Sequence, residues 1–149
     1  MPDNSVSLHR VLKAAPEKVY RAFITPAIAS WLPPYGYVCT VHEMTVEVGG
    51  THRMSFQNFT TGSSQAFGGK YVELKPGEAL KYTDSFDDPN MPGEMTTSVT
   101  LRKVLAGTEI KIVQEGIPPM IPVEMCYLGW QESLEKLKGL VEPNIKDAP

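Results

Sequence analysis

Residues 37–115 alternate between apolar and polar side chains, and this middle of the chain constrains the fold more than any other feature. Alternation with a period of two is typical of β-strands that bury one face. Turn signals rich in glycine, proline, serine or aspartate divide the alternation into strands at residues 37–48, 51–59, 65–74, 79–86, 94–104 and 108–115. Consecutive strands with short connections favour an antiparallel meander.

Helical patterns flank the strands on both sides. A first strand at residues 5–13 precedes a helix that opens at Pro16, because proline is tolerated in a first helical turn. A second, short helix is predicted at residues 27–32. The last helix is predicted at residues 123–141, where one apolar stripe runs for about five turns through Val123, Tyr127, Trp130, Leu134, Leu137 and Val141.

The predicted order is a strand, two short helices, six strands and a long helix. This order is typical of an α+β protein in which a curved antiparallel sheet wraps around the C-terminal helix. The chain has 149 residues, 42% of them apolar, which is enough to bury one hydrophobic core. We therefore expect one domain over residues 1–149, with its core at residues 6–141.

Composition argues against several classes of function. Fourteen lysine and arginine residues and 17 aspartate and glutamate residues give a net charge of −3, which disfavours a nucleic-acid binder. No stretch approaches the roughly 18 apolar residues of a membrane span, and the N-terminus has no apolar signal-peptide core. Cys39 and Cys126 form no CxxC motif, so we expect reduced thiols and a cytoplasmic protein. The three histidines form neither HxH nor HExxH, so no metal or other cofactor is expected.

Several short segments, taken in order, carry a resemblance to a known family. They are APEKVYRAF at residues 15–23, WLP at residues 31–33, VGGTHRM at residues 48–54, GKYVEL at residues 69–74, Gly116, and Gly129 with Trp130. On these segments the chain resembles the START-like superfamily, also called SRPBCC, with its helix-grip (Bet v-like) fold. Within that superfamily it is similar to the family named after the C-terminal domain of the activator of heat-shock protein 90 ATPase. The resemblance implies a cavity between the curved sheet and the long helix.

Polar residues on the apolar faces of the predicted strands are candidates for lining this cavity. A few polar groups in an apolar cavity are typical of a small-molecule site, because buried polar atoms need partners or water. The candidate ligand-binding residues are His42, Met44, Asn58, Tyr82, Asp84, Gln114, Tyr127 and Trp130. His42, with either Asp84 or Gln114, would orient a polar group of the ligand. Each candidate also has a purely structural interpretation, in the core, in a turn or at the end of the sheet.

The candidates favour a protein that binds a small, largely apolar ligand without chemistry of its own. The sequence contains no nucleophile elbow or phosphate loop, so no catalytic residue is assigned. The best catalytic hypothesis is an acid–base pair of His42 and Asp84, while Cys126 would need a neighbouring base to act as a nucleophile. The resemblance keeps two alternatives open: a protein-interaction module associated with a chaperone, and an enzyme of the cyclase or aromatase type.

A second apolar stripe on the long helix consists of Ile121, Met125 and Leu128, which step by four and three on the side opposite Trp130. This stripe either packs against the N-terminal helices or stays exposed as an apolar patch. Exposed patches are typical of interfaces, and a two-fold dimer is the commonest small assembly. A homodimer through these three residues is therefore a hypothesis.

Overall fold

The computed structural model describes residues 4–148 of the chain, which form seven strands, two α-helices and a short 3₁₀ helix. The order of these elements along the chain is β1 (Val6–Leu12), α1 (Pro16–Phe23), the 3₁₀ helix (Pro26–Ser30), β2 (Tyr37–Met44), β3 (Thr51–Asn58), β4 (Ser64–Lys75), β5 (Ala79–Phe86), β6 (Met95–Val104), β7 (Gly107–Glu115) and α2 (Val123–Val141). The predicted order of elements is confirmed. The second of the two short helices is a 3₁₀ helix.

The seven strands form one curled antiparallel sheet in the order β1-β7-β6-β5-β4-β3-β2. Strands β2 to β7 pair with their neighbours in sequence, as expected for a meander. Strand β1 pairs with β7 instead, so α1 and the 3₁₀ helix carry the chain from one edge of the sheet to the other. The α+β helix-grip class expected from the sequence is confirmed: a curled half-barrel sheet with a long C-terminal helix.

Strand β2 is shorter than predicted. It ends at Met44, whereas the alternation of apolar residues continues to Val48. The connection to β3 contains Gly49, whose φ of 85° lies in the left-handed region that favours glycine. Gly50 is required for a different reason: a Cβ atom there would lie 2.1 Å from the carbonyl oxygen of Thr45.

A β-bulge at His42 changes the phase of β2. The register with β3 shifts after Val41, so Val41 pairs with Met54 and Met44 pairs with His52. Val41 and Met44 are both half-buried and pack against the core, whereas His42 is exposed on the outer face. The prediction that His42 shares an apolar face with Met44 is therefore wrong, because a bulge inserts one residue and reverses the alternation.

The core lies between the sheet and the C-terminal part of α2, which packs mainly against β1 and α1. The buried residues of α2 are Trp130, Ser133, Leu134, Leu137 and Val141. The first two turns of α2 contain no buried residue, so this end of the helix stands away from the sheet. Within residues 4–148, no helix is long and apolar enough to cross a membrane.

Candidate functional site

A cavity of about 1040 Å³ lies where the start of α2 stands away from the sheet. Its walls come from β2 to β7 and from α2, and its rim includes the exposed residues Tyr35, Met125 and Leu128. The volume is at the upper end of the range of about 300–1,000 Å³ that is usual for small-molecule sites.

Aromatic rings form the sheet side of the cavity. Phe56 on β3, Phe67 on β4 and Phe86 on β5 project from three neighbouring strands onto the inner face. The ring centroids of Phe56 and Phe67 are 4.9 Å apart, and those of Phe67 and Phe86 are 6.2 Å apart, both in edge-to-face geometry. Such pairs restrain one another, so this wall is apolar and well ordered.

A chain of hydrogen bonds joins α2 to the sheet at one side of the cavity. Trp130 Nε1 donates to Gln114 Oε1 at 3.1 Å, and Gln114 Nε2 donates to Thr97 Oγ1 at 3.5 Å. Thr97 also hydrogen-bonds the side chain of Tyr82. Because both ends of the Gln114 amide already have protein partners, this residue holds the helix in place as well as lining the cavity.

The Asp84 carboxyl group is the least satisfied polar group that lines the cavity. The residue is only 7% exposed, and its Oδ1 atom is buried without a hydrogen-bond partner. Burial raises the pKa of Asp84 to about 8, because a carboxylate loses its hydration there. Burial therefore favours the protonated, neutral form of Asp84.

His52 lies directly behind Asp84, between the rings of Tyr71 and Tyr82. Its Nε2 atom donates to the carbonyl oxygen of Thr83 at 3.0 Å and lies 3.7 Å from Asp84 Oδ1. Burial lowers the pKa of His52, while the bond to Thr83 opposes this shift. Burial thus shifts the pKa values of His52 and Asp84 in opposite directions, and each shift favours the neutral form of its group.

The family described as "Activator of Hsp90 ATPase homolog 1-like protein" matches residues 13–142 of the chain. The chain belongs to this family. With its fold, this places it in the START-like (SRPBCC) superfamily, as expected from the sequence. No curated protein matches the chain.

Solved structures from several bacteria share the fold of this AHSA1-like chain. Protein CV1439 from Chromobacterium violaceum is 56% identical, with a TM-score of 0.94, and the match covers 95% of this chain and 99% of that one. A protein from Rhodobacter sphaeroides is 20% identical with a TM-score of 0.81, over 93% of this chain and 92% of its own. A protein from Nitrosomonas europaea is 19% identical with a TM-score of 0.75, over 94% and 95%. At these last two identities the likeness concerns the fold alone.

Five of the eight candidate residues line the cavity of this AHSA1-like chain: Asn58, Tyr82, Asp84, Gln114 and Trp130. Asn58 lies at the rim, where its Oδ1 atom accepts hydrogen bonds from the backbone of the following turn at Thr60 and Thr61. The structure thus brings together candidates from β3, β5, β7 and α2. Whether they bind a ligand stays a prediction.

The other three candidates do not line the cavity. His42 lies on the outer face of the sheet, where its Nε2 atom is 2.9 Å from Ser55 Oγ. Met44 packs against the core beside His52. Tyr127 is 39% exposed, because the stripe that covers the sheet begins only at Trp130.

Neither catalytic arrangement considered from the sequence is formed. His42 and Asp84 point to opposite faces of the sheet, and the histidine beside Asp84 is His52. The sequence contained a signal for His52, since it alternates in phase with Met54 on β3. Cys126 lines the cavity, but burial raises the pKa of its thiol, which disfavours the nucleophilic thiolate.

Within residues 4–148, no three histidine, cysteine, aspartate or glutamate side chains are grouped so that they could hold a metal ion. The second apolar stripe borders the cavity, with Met125 and Leu128 on α2; Ile121, which was expected on the helix, lies just before it. Met125 is 59% exposed and Leu128 51% exposed, so the N-terminal helices do not cover them.

Proposed function

We propose that this protein binds a small, largely apolar molecule in the cavity between the sheet and the start of α2. The observation that carries the proposal is the buried Asp84 carboxyl group, one oxygen of which has no hydrogen-bond partner, in a cavity whose sheet side is aromatic. An unsatisfied buried polar atom costs about 1–3 kcal/mol of folding free energy. A ligand group that binds the Asp84 carboxyl group from the cavity would offset that cost only when it is bound, which is a basis for specific recognition.

The same cavity favours binding over chemistry. A general base or a nucleophile must reach the substrate. Among the described residues that line the cavity there is no histidine, and the Cys126 thiol is held in its protonated form by burial. An enzyme of the cyclase or aromatase type would have to rely on carboxyl groups for proton transfer, with Asp84 as the buried one. We place the binding function in the cytoplasm, which is supported by the free thiols of Cys39 and Cys126.

Gly129 allows a direct test of the cavity. It lies on α2, lines the cavity, and a Cβ atom placed there would meet no atom within 4 Å. Gly129→Leu should therefore project a side chain into the empty volume without displacing a neighbour. Gly139→Leu is the matched control, because a Cβ atom there is equally free but Gly139 is exposed and lies outside the cavity.

The readout is native mass spectrometry of freshly purified protein. Wild type and Gly139→Leu should retain a co-purified small molecule, and Gly129→Leu should lose it. Both variants should be at least as stable as wild type, since leucine has a higher helix propensity than glycine, by somewhat less than the roughly 0.8–1 kcal/mol between glycine and alanine. Retention of the molecule by Gly129→Leu, or a wild type that neither carries nor takes up any apolar compound, would contradict the proposal.

A protein-interaction function is the second candidate. It is supported by the exposed side chains of Met120, Met125 and Leu128 around the start of α2, since clustered apolar exposure commonly marks an interface. The family description suggests a chaperone as the partner. If the partner is an Hsp90-type chaperone, the protein should stimulate its ATPase rate. Gly129→Leu should leave this stimulation intact, and Met125→Glu should weaken it.

A further inference from the structure

The acidic and basic residues that line the cavity are all acidic. They are Asp84, Asp87, Asp88 and Glu132, and among the described residues no lysine, arginine or histidine lines the cavity. Arg53 pairs with Asp87 from outside. Glu132 and Asp88 accept hydrogen bonds from backbone N–H groups, and neither has a cationic side chain within salt-bridge distance in residues 4–148. The field inside the cavity is therefore negative.

Asp84 is the deepest of these carboxyl groups and is more than nine-tenths buried. His52 could serve as a counter-ion to Asp84, but its Nε2 proton is already donated to the carbonyl oxygen of Thr83. A buried carboxyl group without a cation either keeps its proton or takes up a cation. In residues 4–148 no lysine or arginine pairs with Asp84, so a cation for this group would arrive from the cavity.

The aromatic wall of the cavity also favours a positively charged ligand group. Phe56, Phe67, Phe86, Tyr82 and Trp130 line the same cavity as Asp84. The faces of aromatic rings carry partial negative charge and attract organic cations, by about 0.5–2 kcal/mol for each well-placed ring. The carboxyl groups and the rings are separate observations, and both favour a positively charged group joined to an apolar body.

We propose that the ligand is an organic cation, either a protonated amine or a quaternary ammonium group, with its charge at Asp84 and its apolar body against the aromatic wall. This inference rests on the proposed binding function and specifies the class of ligand. The alternative is a neutral ligand whose oxygen atom accepts a hydrogen bond from protonated Asp84.

The two ligand classes differ in how binding responds to pH. A cation binds the ionised Asp84, so binding should release a proton below about pH 8, and affinity should rise as the pH approaches 8. A neutral acceptor needs the protonated group and should bind less tightly above that pH. The titratable groups around Asp84 are His52 on β3, Tyr71 on β4 and Tyr82 on β5, with Glu43 on β2 acting on His52. Both tyrosines have raised pKa values and stay neutral over this range.

Three probes with one naphthalene body test the inference: (2-naphthylmethyl)trimethylammonium, 2-naphthalenemethanol and 2-naphthoate. Isothermal titration calorimetry at about pH 7 and about pH 8.5 brackets the pKa of Asp84. At the higher pH the cation should bind about tenfold tighter than the alcohol, and the carboxylate should bind most weakly. The affinity of the cation should increase from the lower to the higher pH.

Substitutions test whether the preference for the cation over the alcohol arises in the cavity. Asp84→Asn keeps the shape of the side chain and should bring the affinities for cation and alcohol to within about threefold of each other. Glu115→Gln removes the same charge from an exposed position outside the cavity and should keep the preference. If Asp84→Asn does not fold, Glu132→Gln at the rim should weaken binding of the cation alone, by about two- to threefold.

Two results would overturn the inference in different ways. Tighter binding of the alcohol or the carboxylate than of the cation rejects a cationic ligand and leaves the proposed binding function in place. Failure of all three probes to bind rejects the proposed function, and the inference with it.

Discussion

Asp84 combines three properties that rarely occur in one residue of a folded protein. Its carboxyl group is buried, one of the two oxygen atoms has no hydrogen-bond partner, and the residue lines a cavity. Burial of such a group destabilises the folded state whenever the group must ionise. The residue therefore connects binding to stability, because whatever satisfies the carboxyl group also relieves the folded protein of that cost.

The raised pKa of Asp84 predicts how stability depends on pH. Between its ordinary pKa of 3.8 and its folded value of about 8, the folded protein holds a proton that the unfolded chain releases. This contribution is fully present below about pH 4 and is lost as the pH rises through 8, by up to about 1.4 kcal/mol per pH unit. The pKa of His52 is lowered from its ordinary value of 6.5, so below that pH the unfolded chain binds a proton at His52 more readily than the folded protein does. His52 therefore lowers the stability of the folded protein as the pH falls, which is opposite to the effect of Asp84.

The ligand-free protein should therefore lose stability between about pH 6.5 and pH 8, as measured by urea denaturation followed by circular dichroism. Asp84→Asn should have a flatter profile and be more stable than wild type at about pH 8. Glu115→Gln, at an exposed position, should keep the wild-type slope. Equal slopes for wild type and Asp84→Asn would mean that the carboxyl group is solvated in solution.

At single residues, the sequence predicted the inner face wherever a strand is regular. Asn58, Asp84 and Gln114 line the cavity because β3, β5 and β7 keep the phase that the apolar residues indicate. His42 does not, because a bulge next to it depends on how β2 pairs with β3. His52 lies beside Asp84 because β3 is regular there, so that His52 shares the buried face of the strand with Met54.

Helix α2 performs two tasks along its length. Its C-terminal part packs on β1 and α1 through a continuous apolar stripe, while its first turns form a wall of the cavity. Trp130 lies at the boundary between the two parts, buried on one side, lining the cavity on the other, and hydrogen-bonded to Gln114. The spacing of apolar residues in the sequence predicted the limits of the helix and the buried stripe from Trp130 onward. It could not predict the outward-standing first turns, because these depend on the curvature of the sheet.

Trp130→Ala should be strongly destabilising. It removes a buried ring and leaves the side-chain oxygen of Gln114 without its donor, and Trp to Ala changes in cores typically cost about 3–5 kcal/mol. Tyr127→Ala, three residues earlier on the exposed side of the same helix, should cost no more than about 0.5 kcal/mol. The stabilities of the two variants are compared through their midpoints of urea denaturation. Similar midpoints for both variants would mean that the helix does not pack through Trp130.

The whole molecule is an open half-barrel, in which β1 and β2 form the two edges of the sheet and α2 covers only part of its inner face. Periodicity predicted the meander of β2 to β7. The pairing of β1 with β7 lies outside what periodicity can show, because it joins strands about one hundred residues apart in the chain, such as Leu8 with Ile112. That part of the architecture follows only from the resemblance to the helix-grip fold.

An apolar rim around the open side of the half-barrel supports the proposal of a homodimer through Ile121, Met125 and Leu128. The exposed side chains of Met125 and Leu128 would be covered by a second copy of the chain. Sedimentation velocity at tens of micromolar, roughly the range of weak dimers, should then show a dimer for wild type and a monomer for Met125→Glu, which places a charge in the contact.

Leu105→Glu is the control for that experiment, because Leu105 is fully exposed on the turn between β6 and β7 and does not line the cavity. It should sediment as wild type does. A monomeric wild type would remove the dimer, and a dimeric Met125→Glu variant would move the interface to another surface. If the dimer forms through this rim, the second copy also narrows access to the cavity, so ligand and partner should influence one another's binding.

The two tryptophans differ completely in their surroundings, which gives the molecule its own optical reporter. Trp31 is 0% exposed, its Nε1 atom donates to the carbonyl oxygen of Ala22, and its ring packs edge-on against Phe23. Trp130 borders the cavity. An occupant of the cavity would change the intrinsic fluorescence of Trp130 and leave that of Trp31 constant. In a Trp31→Phe background, the emission of a single residue would follow the filling of the cavity without any attached dye.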